Sequence, residues 1–416
     1  MFKEKFFIQT CLALSILLLP IAHFKTILFG IPLYSVEMPV GVALMIYLYG
    51  CIKKVFYPLR NATESKALFV GIVLFCGGAI LSFVANPFSW TGLGMIKTWF
   101  LVPTLFVWLW TETKPEKKHI DTMLFLWLGV IASVSLLALE YFFQGEMTFD
   151  NRLSAWYASP NYLAFFLAPG ILLVHYFFFH PIFVNKKWSK RMMIGVFFSL
   201  LFVLFHTHSY AVWMSILLAE GLFFFLKRTQ NTPATQEKQI VFFLLFFLFT
   251  FLFFESGSEK WQALTSFHER SSLASRIMIW KVSATAIAEN PVFGIGIGRF
   301  QEVYLSYQSH FPLYLEWAVP QPHNLYMALW LQTGIIGLFS FLFLVFVWIK
   351  KMLSFGKNVH HADDIQKRSA LFVALLSFFL VLGFVDTPFF KTDLAFIFWI
   401  IFGLGMSLIK KEKILL

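Results

Sequence analysis

The sequence predicts an all-α, polytopic helical membrane protein, with about 12 transmembrane helices and a long extracytoplasmic loop that contains an amphipathic helix. Hydrophobic residues make up 59% of the chain and charged residues only 13%, and the mean hydropathy is +0.73. A soluble protein of 416 residues would need far more charged surface. Runs such as 240–254 are apolar on every face, which excludes the alternating strands of a membrane β-barrel.

The apolar segments divide the chain along its whole length. The first one follows Lys3 and Lys5 and resembles a secretory signal, but no small-residue cleavage site follows it, so we predict a retained span. We find no internal repeat and no second soluble domain, and therefore predict that residues 1–416 form a single integral membrane domain. The predicted spans are residues 6–24, 36–52, 67–85, 92–111, 119–143, 160–183, 192–208, 210–226, 239–254, 324–349, 369–385 and 392–409.

Positive charge alternates between the two sides of this arrangement. Of the 33 Lys and Arg residues, 24 lie on one side and nine on the other. Because cytoplasmic loops are enriched in Lys and Arg, we predict a multi-pass protein of the cell membrane with both termini cytoplasmic and the 255–322 loop outside. The same rule explains the net charge of +11 without a nucleic-acid partner. The nine outer cations are Lys25, Lys97, Arg152, Lys260, Arg270, Arg276, Lys281, Arg299 and Lys391.

The extracytoplasmic loop, residues 255–322, has its own pattern. From Ser272 onward, apolar residues at 273, 277, 280, 284 and 287 predict an amphipathic helix along the membrane face, stopped by Pro291. Gly294, Gly296 and Gly298 then alternate. They resemble a dinucleotide-binding loop, but no βαβ unit surrounds them, so a tight turn below the helix is the better interpretation.

Two arginines are candidates for binding a phosphate group, because a guanidinium stays charged and its donors match phosphate oxygens. Arg152 lies just before Pro160 and Asn161, where the sixth span begins. Arg276 borders the apolar face of the amphipathic helix and so could point into a cavity. The plainer alternatives are an Arg152 that reaches for lipid headgroups and an Arg276 on an ordinary polar helix face. Arg270 is a less constrained candidate of the same kind.

His323 is the candidate general base. It follows Pro320-Gln321-Pro322 and opens a span, with Asn324 and Tyr326 as orienting or substrate-binding partners. Imidazole titrates near neutrality and can accept a hydroxyl proton at working pH. A purely structural histidine at the membrane interface is the alternative. Asp386, at the end of a later span, could pair with an arginine or a sugar hydroxyl.

The sequence predicts neither a metal nor a cofactor. His206 and His208 could suggest a metal site, but no third ligand of suitable spacing accompanies them. Cys11, Cys51 and Cys76 are scattered in apolar segments and indicate no disulfide framework.

Several of these motifs, in this order, resemble the O-antigen ligase and O-antigen polymerase family of bacterial polytopic membrane glycosyltransferases. The first is Arg152 with Pro160-Asn161-Tyr162-Leu163-Ala164. The second is Ser275-Arg276 with Trp280, followed by Asn290-Pro291 and the alternating glycines. The third is His323-Asn324-x-Tyr326, followed by Gln332-Thr333-Gly334-Ile335-Ile336-Gly337-Leu338. The motifs extend over residues 152–338, and it is their combination that is specific.

The resemblance implies a metal-independent transferase at the outer face of the membrane. It would use an undecaprenyl-diphosphate-linked glycan as donor and a hydroxyl of a glycan or surface molecule as acceptor. By the same resemblance, Arg152 and Arg276 would bind the diphosphate and His323 would activate the acceptor. Many relatives carry an arginine after a Thr-x-Ser at the outer end of a middle span, where this chain has Thr207-His208-Ser209 and no arginine. His208 or Arg270 could substitute for it.

Other functions remain as alternatives. Twelve spans also suit a transporter or a flippase of lipid-linked saccharides, which should carry charged residues near the bilayer midplane and broken helices in corresponding halves. A non-catalytic scaffold of a polysaccharide assembly complex is a third. The sequence does not distinguish a ligase from a polymerase, and it does not identify the sugar.

Overall fold

A computed structural model describes residues 2–28, 31–56, 66–180, 187–227, 249, 272–311, 319–358 and 363–409. Within these residues the chain is almost entirely helical, with one short antiparallel hairpin. The predicted span 239–254 and the predicted ligand Arg270 lie outside the described residues.

The helices follow one another along the chain with short connections between most of them. They are α1 Phe2–Leu17, α2 Glu37–Ile52, α3 Lys66–Ala85, α4 Trp90–Met95, α5 Val102–Glu112, α6 Lys117–Phe143, α7 Pro160–Leu167, α8 Pro169–Phe178, α9 Lys187–His206, α10 Tyr210–Lys227, α11 Ser272–Glu289, α12 Phe300–Ser306, α13 Leu325–Asn358, α14 Asp363–Leu382 and α15 Thr392–Ile409. A π-helical segment, Ile96–Leu101, joins α4 to α5, and the strands are β1 Lys25–Leu28 and β2 Ile31–Tyr34.

The predicted class is confirmed: the protein is a polytopic helical membrane protein. In the part of the chain that the structure describes, nine helices are long and apolar enough to cross a membrane. Helix α2 is a shorter apolar helix of 16 residues. Helices α1–α10 and α13–α15 overlap the predicted spans other than 239–254, but their ends differ by several residues. For example, α14 begins at Asp363 instead of 369 and ends at Leu382 instead of 385.

Glycine allows two of the longest helices to approach each other closely. Helix α3 packs along α13. At Gly78, an added Cβ atom would lie 2.6 Å from the backbone nitrogen of Gly337, too close for any side chain. In a membrane, where lipid and side chains are equally apolar, such small residues permit the packing that holds helices together.

Helix α13 is broken at Gly334, and residues 292–295 of the segment after α11 pack into the break. Gly334 has φ 67 and ψ −178, a conformation that L-residues rarely adopt. The backbone of Ile335 donates to the carbonyl of Val292 over 3.1 Å, and that of Ile295 donates to the carbonyl of Leu331 over 2.7 Å. The segment after α11 therefore pairs with backbone groups that the broken helix leaves free. It fixes α11 against α13.

The buried face of α11 differs from the one that the sequence pattern indicated. The helix ends at Glu289, before Pro291, as predicted. However, its buried residues are Ser275, Ile279, Val282, Ser283 and Ala286, whereas Ile277 of the predicted apolar face is 41% exposed. Helix α11 can lie close against the protein because three of its buried residues are small: Ser275, Ser283 and Ala286. This packing determines which face of the helix is buried. The more apolar face is left outward, where it can contact the membrane.

Candidate active site at one end of the helix bundle

Four of the polar residues considered above meet around the carboxylate of Asp386, which is only 4% exposed. Its Oδ1 lies 3.1 Å from Nδ1 of His323, and its Oδ2 lies 3.5 Å from Nη2 of Arg276. The side-chain amide of Asn161 donates to Oδ2 over 3.3 Å. Asn161 in turn accepts a 2.6 Å hydrogen bond from Nη2 of Arg152. One buried carboxylate thus connects an imidazole and two guanidiniums that are far apart in the sequence.

The turn that carries Asp386 is held by backbone hydrogen bonds. It follows α14, and the amide of Asp386 donates to the carbonyl of Leu382 over 3.0 Å. The amide of Leu325, the first residue of α13, donates to Gly383 over 2.7 Å. The amide of Thr387 donates to Oδ1 of Asp386 over 2.9 Å. These bonds fix both the position and the orientation of the carboxylate.

His323 is constrained at its backbone and at its ring. It has a positive φ of 48, which is uncommon for a residue with a side chain and is found at sites that the surroundings over-determine. The indole of Trp280, on α11, donates to the His323 carbonyl over 3.2 Å. With Asp386 ionised, Nδ1 of the imidazole donates to Oδ1, so the Nε2 atom carries the free lone pair. The side chain is 34% exposed and can therefore meet a substrate.

Arg276 projects from α11 towards the same turn. Its Nε donates to the carbonyl of Val385 over 3.0 Å, while its Nη2 approaches Asp386. Within the described residues no hydrogen bond involves its Nη1 atom, and the side chain is 21% exposed. One edge of the guanidinium is therefore anchored and the other is available to an anion.

Arg152 is anchored in a similar way from the opposite side. Its Nε donates to the carbonyl of Thr207 over 2.8 Å, and its Nη1 lies 3.7 Å from the carboxylate of Asp150. The side chain is 14% exposed. The bond to Thr207 matters because the turn 207–209 carries no arginine of its own. Arg152 itself reaches this turn and brings a guanidinium to it.

The charges around Asp386 shift two pKa values. Burial alone would raise the pKa of Asp386, but the positive charge and hydrogen bond of His323, together with Arg276, outweigh it and lower the pKa to about 2. Burial lowers the pKa of Arg152; Asp150 opposes this, and the nearby charge of Arg276 adds to it. The two guanidiniums therefore repel each other, and a bound anion would relieve this repulsion.

Asn324 and Tyr326, predicted to bind substrate, have their polar side-chain atoms engaged by the backbone. The Asn324 carbonyl oxygen accepts from the amides of Tyr326 and Met327 and so caps α13, while its amide donates to Phe384 over 2.9 Å. The Tyr326 hydroxyl donates to the carbonyl of Leu380 over 2.9 Å. In this structure they hold α13 against the turn of Asp386, and their contact with substrate stays a prediction.

The acidic members of the site were the hardest to find from sequence. Asp386 was only one candidate among several, since an acidic residue at the end of a span has no motif around it. Asp150 has no sequence feature that marks it as a site residue. It pairs with Arg152 within a local turn that hydrogen bonds of Thr148 close. The basic members were easier, because the charge pattern leaves few cations on the predicted outer side.

Acid should weaken the fold through Asp386. A carboxyl with a lowered folded-state pKa stabilises the fold fully above its ordinary value of 3.8 and loses this contribution as the pH falls through about 2. We expect roughly 2 kcal/mol of stability to be lost between pH 5 and pH 2 from this group. Thermal unfolding of the purified protein across this range measures it.

The control is Asp386→Asn, which should be less stable than the wild type above pH 4, because it removes the buried carboxylate that pairs with Arg276 and His323. The difference between the two proteins should shrink as the pH approaches 2. A constant difference across the range would contradict the lowered pKa of Asp386.

Comparison with known proteins adds to this geometry. The fold defines a polytopic helical membrane protein with cations and an imidazole gathered at one end. Residues 194–342 match the family model described as O-Antigen ligase, and this match supports assigning the chain to the O-antigen ligase family. No curated protein matches the chain. The matched segment includes Arg276 and His323, but neither Arg152 nor Asp386. The matched family consists of glycosyl-transferring enzymes of surface polysaccharide biosynthesis that act on a lipid-linked glycan and an acceptor.

Proposed function

We propose that the protein transfers a glycan from an undecaprenyl-diphosphate-linked donor to an acceptor hydroxyl at the outer face of the cytoplasmic membrane. The observation that supports this most is the buried Asp386, which links His323 to Arg276 and, through Asn161, to Arg152. A base and two cations are what this reaction requires. The hydroxyl must lose a proton, and the leaving diphosphate must have its charge stabilised.

In the proposed reaction, Nε2 of His323 removes the proton of the acceptor hydroxyl. The hydroxyl oxygen forms a bond to the anomeric carbon of the donor glycan while the bond from that carbon to the diphosphate breaks. Arg276 and Arg152 stabilise the negative charge that develops on the leaving undecaprenyl diphosphate. Asp386 stabilises the imidazolium that forms, in the manner of the carboxylate of a catalytic triad.

We further propose that the reaction needs no metal ion, because the two guanidiniums would perform the charge stabilisation that a divalent cation supplies elsewhere. The outer location and the cytoplasmic termini are proposals that rest on the distribution of Lys and Arg. The acceptor is either a second lipid-linked glycan, as in a polymerase, or a different surface molecule, as in a ligase.

The function is tested with purified protein in detergent. Lipid-linked glycan, extracted from cells that lack the gene, is mixed with the protein in excess chelator. We expect release of undecaprenyl diphosphate coupled to lengthening of a second donor molecule or to modification of an added lipid A core acceptor. No release with either acceptor would contradict the proposal.

A transporter or flippase is the second candidate, and one observation favours it. Glu220, which is 1% exposed within α10, pairs with His175 of α8 over 2.9 Å. Buried acidic residues within spans often serve transport. A transporter would move the donor across a vesicle membrane without releasing undecaprenyl diphosphate, so the assay above separates the two functions.

A further inference from the structure

A second cluster of charged and aromatic residues lies at the same end of the bundle as Asp386. The ammonium of Lys391 lies 4.4 Å from the ring centroid of Tyr157 and 4.7 Å from that of Tyr162. It also lies 3.4 Å from Oδ2 of Asp393. Lys391 is the accessible member, with 23% of its side chain exposed, whereas Asp393 is 5% exposed.

Two buried polar atoms of this cluster have no partner among the described residues. They are Oδ1 of Asp393 and the hydroxyl of Tyr157. Buried polar atoms are almost always hydrogen-bonded, so each exception calls for an explanation. Among the described residues, the ammonium of Lys391 is held by Asp393 and by two ring faces, and its long flexible side chain can move to admit a ligand to these atoms.

A second group at the same end of the bundle also combines a lysine, a carboxylate and a tyrosine ring, and its polar atoms are used within the fold. Lys97 lies 2.6 Å from Oε2 of Glu37 and 5.6 Å from the ring of Tyr34. Here both carboxylate oxygens are used: Oε1 accepts from Thr98 and Oε2 accepts from the amide of Tyr34, while Lys97 also donates to Pro32. Both carboxylate oxygens of Glu37 therefore have hydrogen-bond partners, whereas Oδ1 of Asp393 in the Lys391 cluster has none among the described residues.

The Lys391 cluster adjoins the proposed reaction centre. Tyr162 follows Asn161 on the first turn of α7, and it lies within electrostatic range of both Asp386 and Asp393. Lys391 ends the same turn that begins after α14 and carries Asp386. A ligand group in this cluster would therefore lie next to a substrate held at His323.

The charges and aromatic rings of the cluster restrict the class of ligand that it can bind. An ammonium and a carboxylate stand side by side, so a simple anion is repelled by Asp393 and a simple cation by Lys391. A neutral molecule with adjacent hydroxyls can donate to Asp393 and accept from Lys391 and Tyr157. Its apolar face can pack on an aromatic ring. A sugar ring has both properties.

We propose that Tyr157, Tyr162, Lys391 and Asp393 form a saccharide-binding subsite that holds one ring of the substrate glycan beside the reaction centre. This inference rests on the proposed function. Asp393 and Lys391 bind adjacent hydroxyls, the Tyr157 hydroxyl binds a third polar atom, and Tyr162 supplies the aromatic face.

Binding of the free glycan tests the subsite without the chemistry. Mild acid releases the oligosaccharide from the lipid-linked donor, and this probe carries neither diphosphate nor lipid. We expect the wild type to bind it, Tyr157→Phe and Asp393→Asn to bind it about ten-fold more weakly, and Tyr34→Phe and Glu37→Gln to bind it as the wild type does. Absence of binding to the wild type, or equal binding by all these proteins, would overturn the proposal.

Tyr157→Phe separates a binding role from a structural one. It removes a buried hydroxyl that has no partner, so the variant should unfold at the wild-type temperature or above it while binding the glycan more weakly. A loss of thermal stability without weaker binding would overturn the proposal, since the hydroxyl would then serve the fold.

Steady-state kinetics show whether the bound sugar ring belongs to the donor or to the acceptor. If the ring belongs to the donor, Tyr157→Phe raises the KM for the donor and leaves kcat within two-fold; if it belongs to the acceptor, the KM for the acceptor rises instead. No change in either KM overturns the subsite. The proposed function is tested separately by His323→Ala, which should lose transfer and still bind the free glycan.

Discussion

Replacing His323 by alanine should slow glycan transfer by a factor of about 10² to 10⁴, the usual contribution of a positioned base. The imidazole is held by Asp386 on one side and exposes its Nε2 atom on the other. Without it, no group among the described residues takes the same position beside the two guanidiniums. The rate of undecaprenyl diphosphate release from purified donor measures the effect, and binding of undecaprenyl diphosphate should change little.

His310→Ala is the matched control. His310 belongs to the same 255–322 loop, in the short 3₁₀ turn Gln308–His310, and it is exposed. Its replacement should leave the rate unchanged. Equal rates for His323→Ala and the wild type, at equal protein levels, would contradict the role of His323 as a base.

Arg276→Ala should slow transfer by a factor of about 10² to 10³, because it removes a cation aimed at developing negative charge. Arg276→Lys should recover only part of this loss. A lysine keeps the charge, but it cannot donate to Val385 and present a second edge to the diphosphate at the same time. Transfer rates and affinity for undecaprenyl diphosphate should fall together in both variants.

Arg299→Ala is the control for charge in the same loop. Arg299 pairs with Glu302 over 3.0 Å at the surface of α12 and does not contact Asp386 in the described structure. Its loss should leave transfer nearly unchanged. If Arg299→Ala and Arg276→Ala slowed the reaction equally, the effect would come from the overall charge of the loop and not from the geometry at Asp386.

The membrane fold could be predicted well from the sequence, for a physical reason. In a bilayer no water is available to pair with backbone groups, so long apolar segments satisfy most of these groups internally by forming helices. Helix ends were less predictable. They depend on contacts such as the bond from Leu325 to Gly383, which couples two distant turns.

The rotation of α11 about its own axis could not be predicted, because the helix has one apolar face towards the protein and another outward, where it can contact the membrane. Larger apolar residues such as Ile277 are left outward, and small residues such as Ser283 face the protein. A helix between protein and membrane has no single polar face, and hydrophobic spacing alone does not distinguish its two sides.

The cations and the imidazole of the site could be proposed from sequence because such groups are few on the predicted outer side and stand near helix ends. Asp386 could be named as a partner for an arginine, but not as the residue that connects all of them. Asp386 lies 63 residues from His323 and 110 from Arg276, and only the folded bundle brings these side chains together. The backbone partners of Asn324 and Tyr326 depend on the same long-range contacts.

The most direct test of the catalytic unit is a double-mutant cycle between His323 and Asp386, measured on the rate of transfer. If Asp386 acts through the imidazole, Asp386→Asn should slow the His323→Ala protein at least ten-fold less than it slows the wild type. The same slowing factor in both proteins would show that the two residues act independently, and would contradict a shared catalytic role.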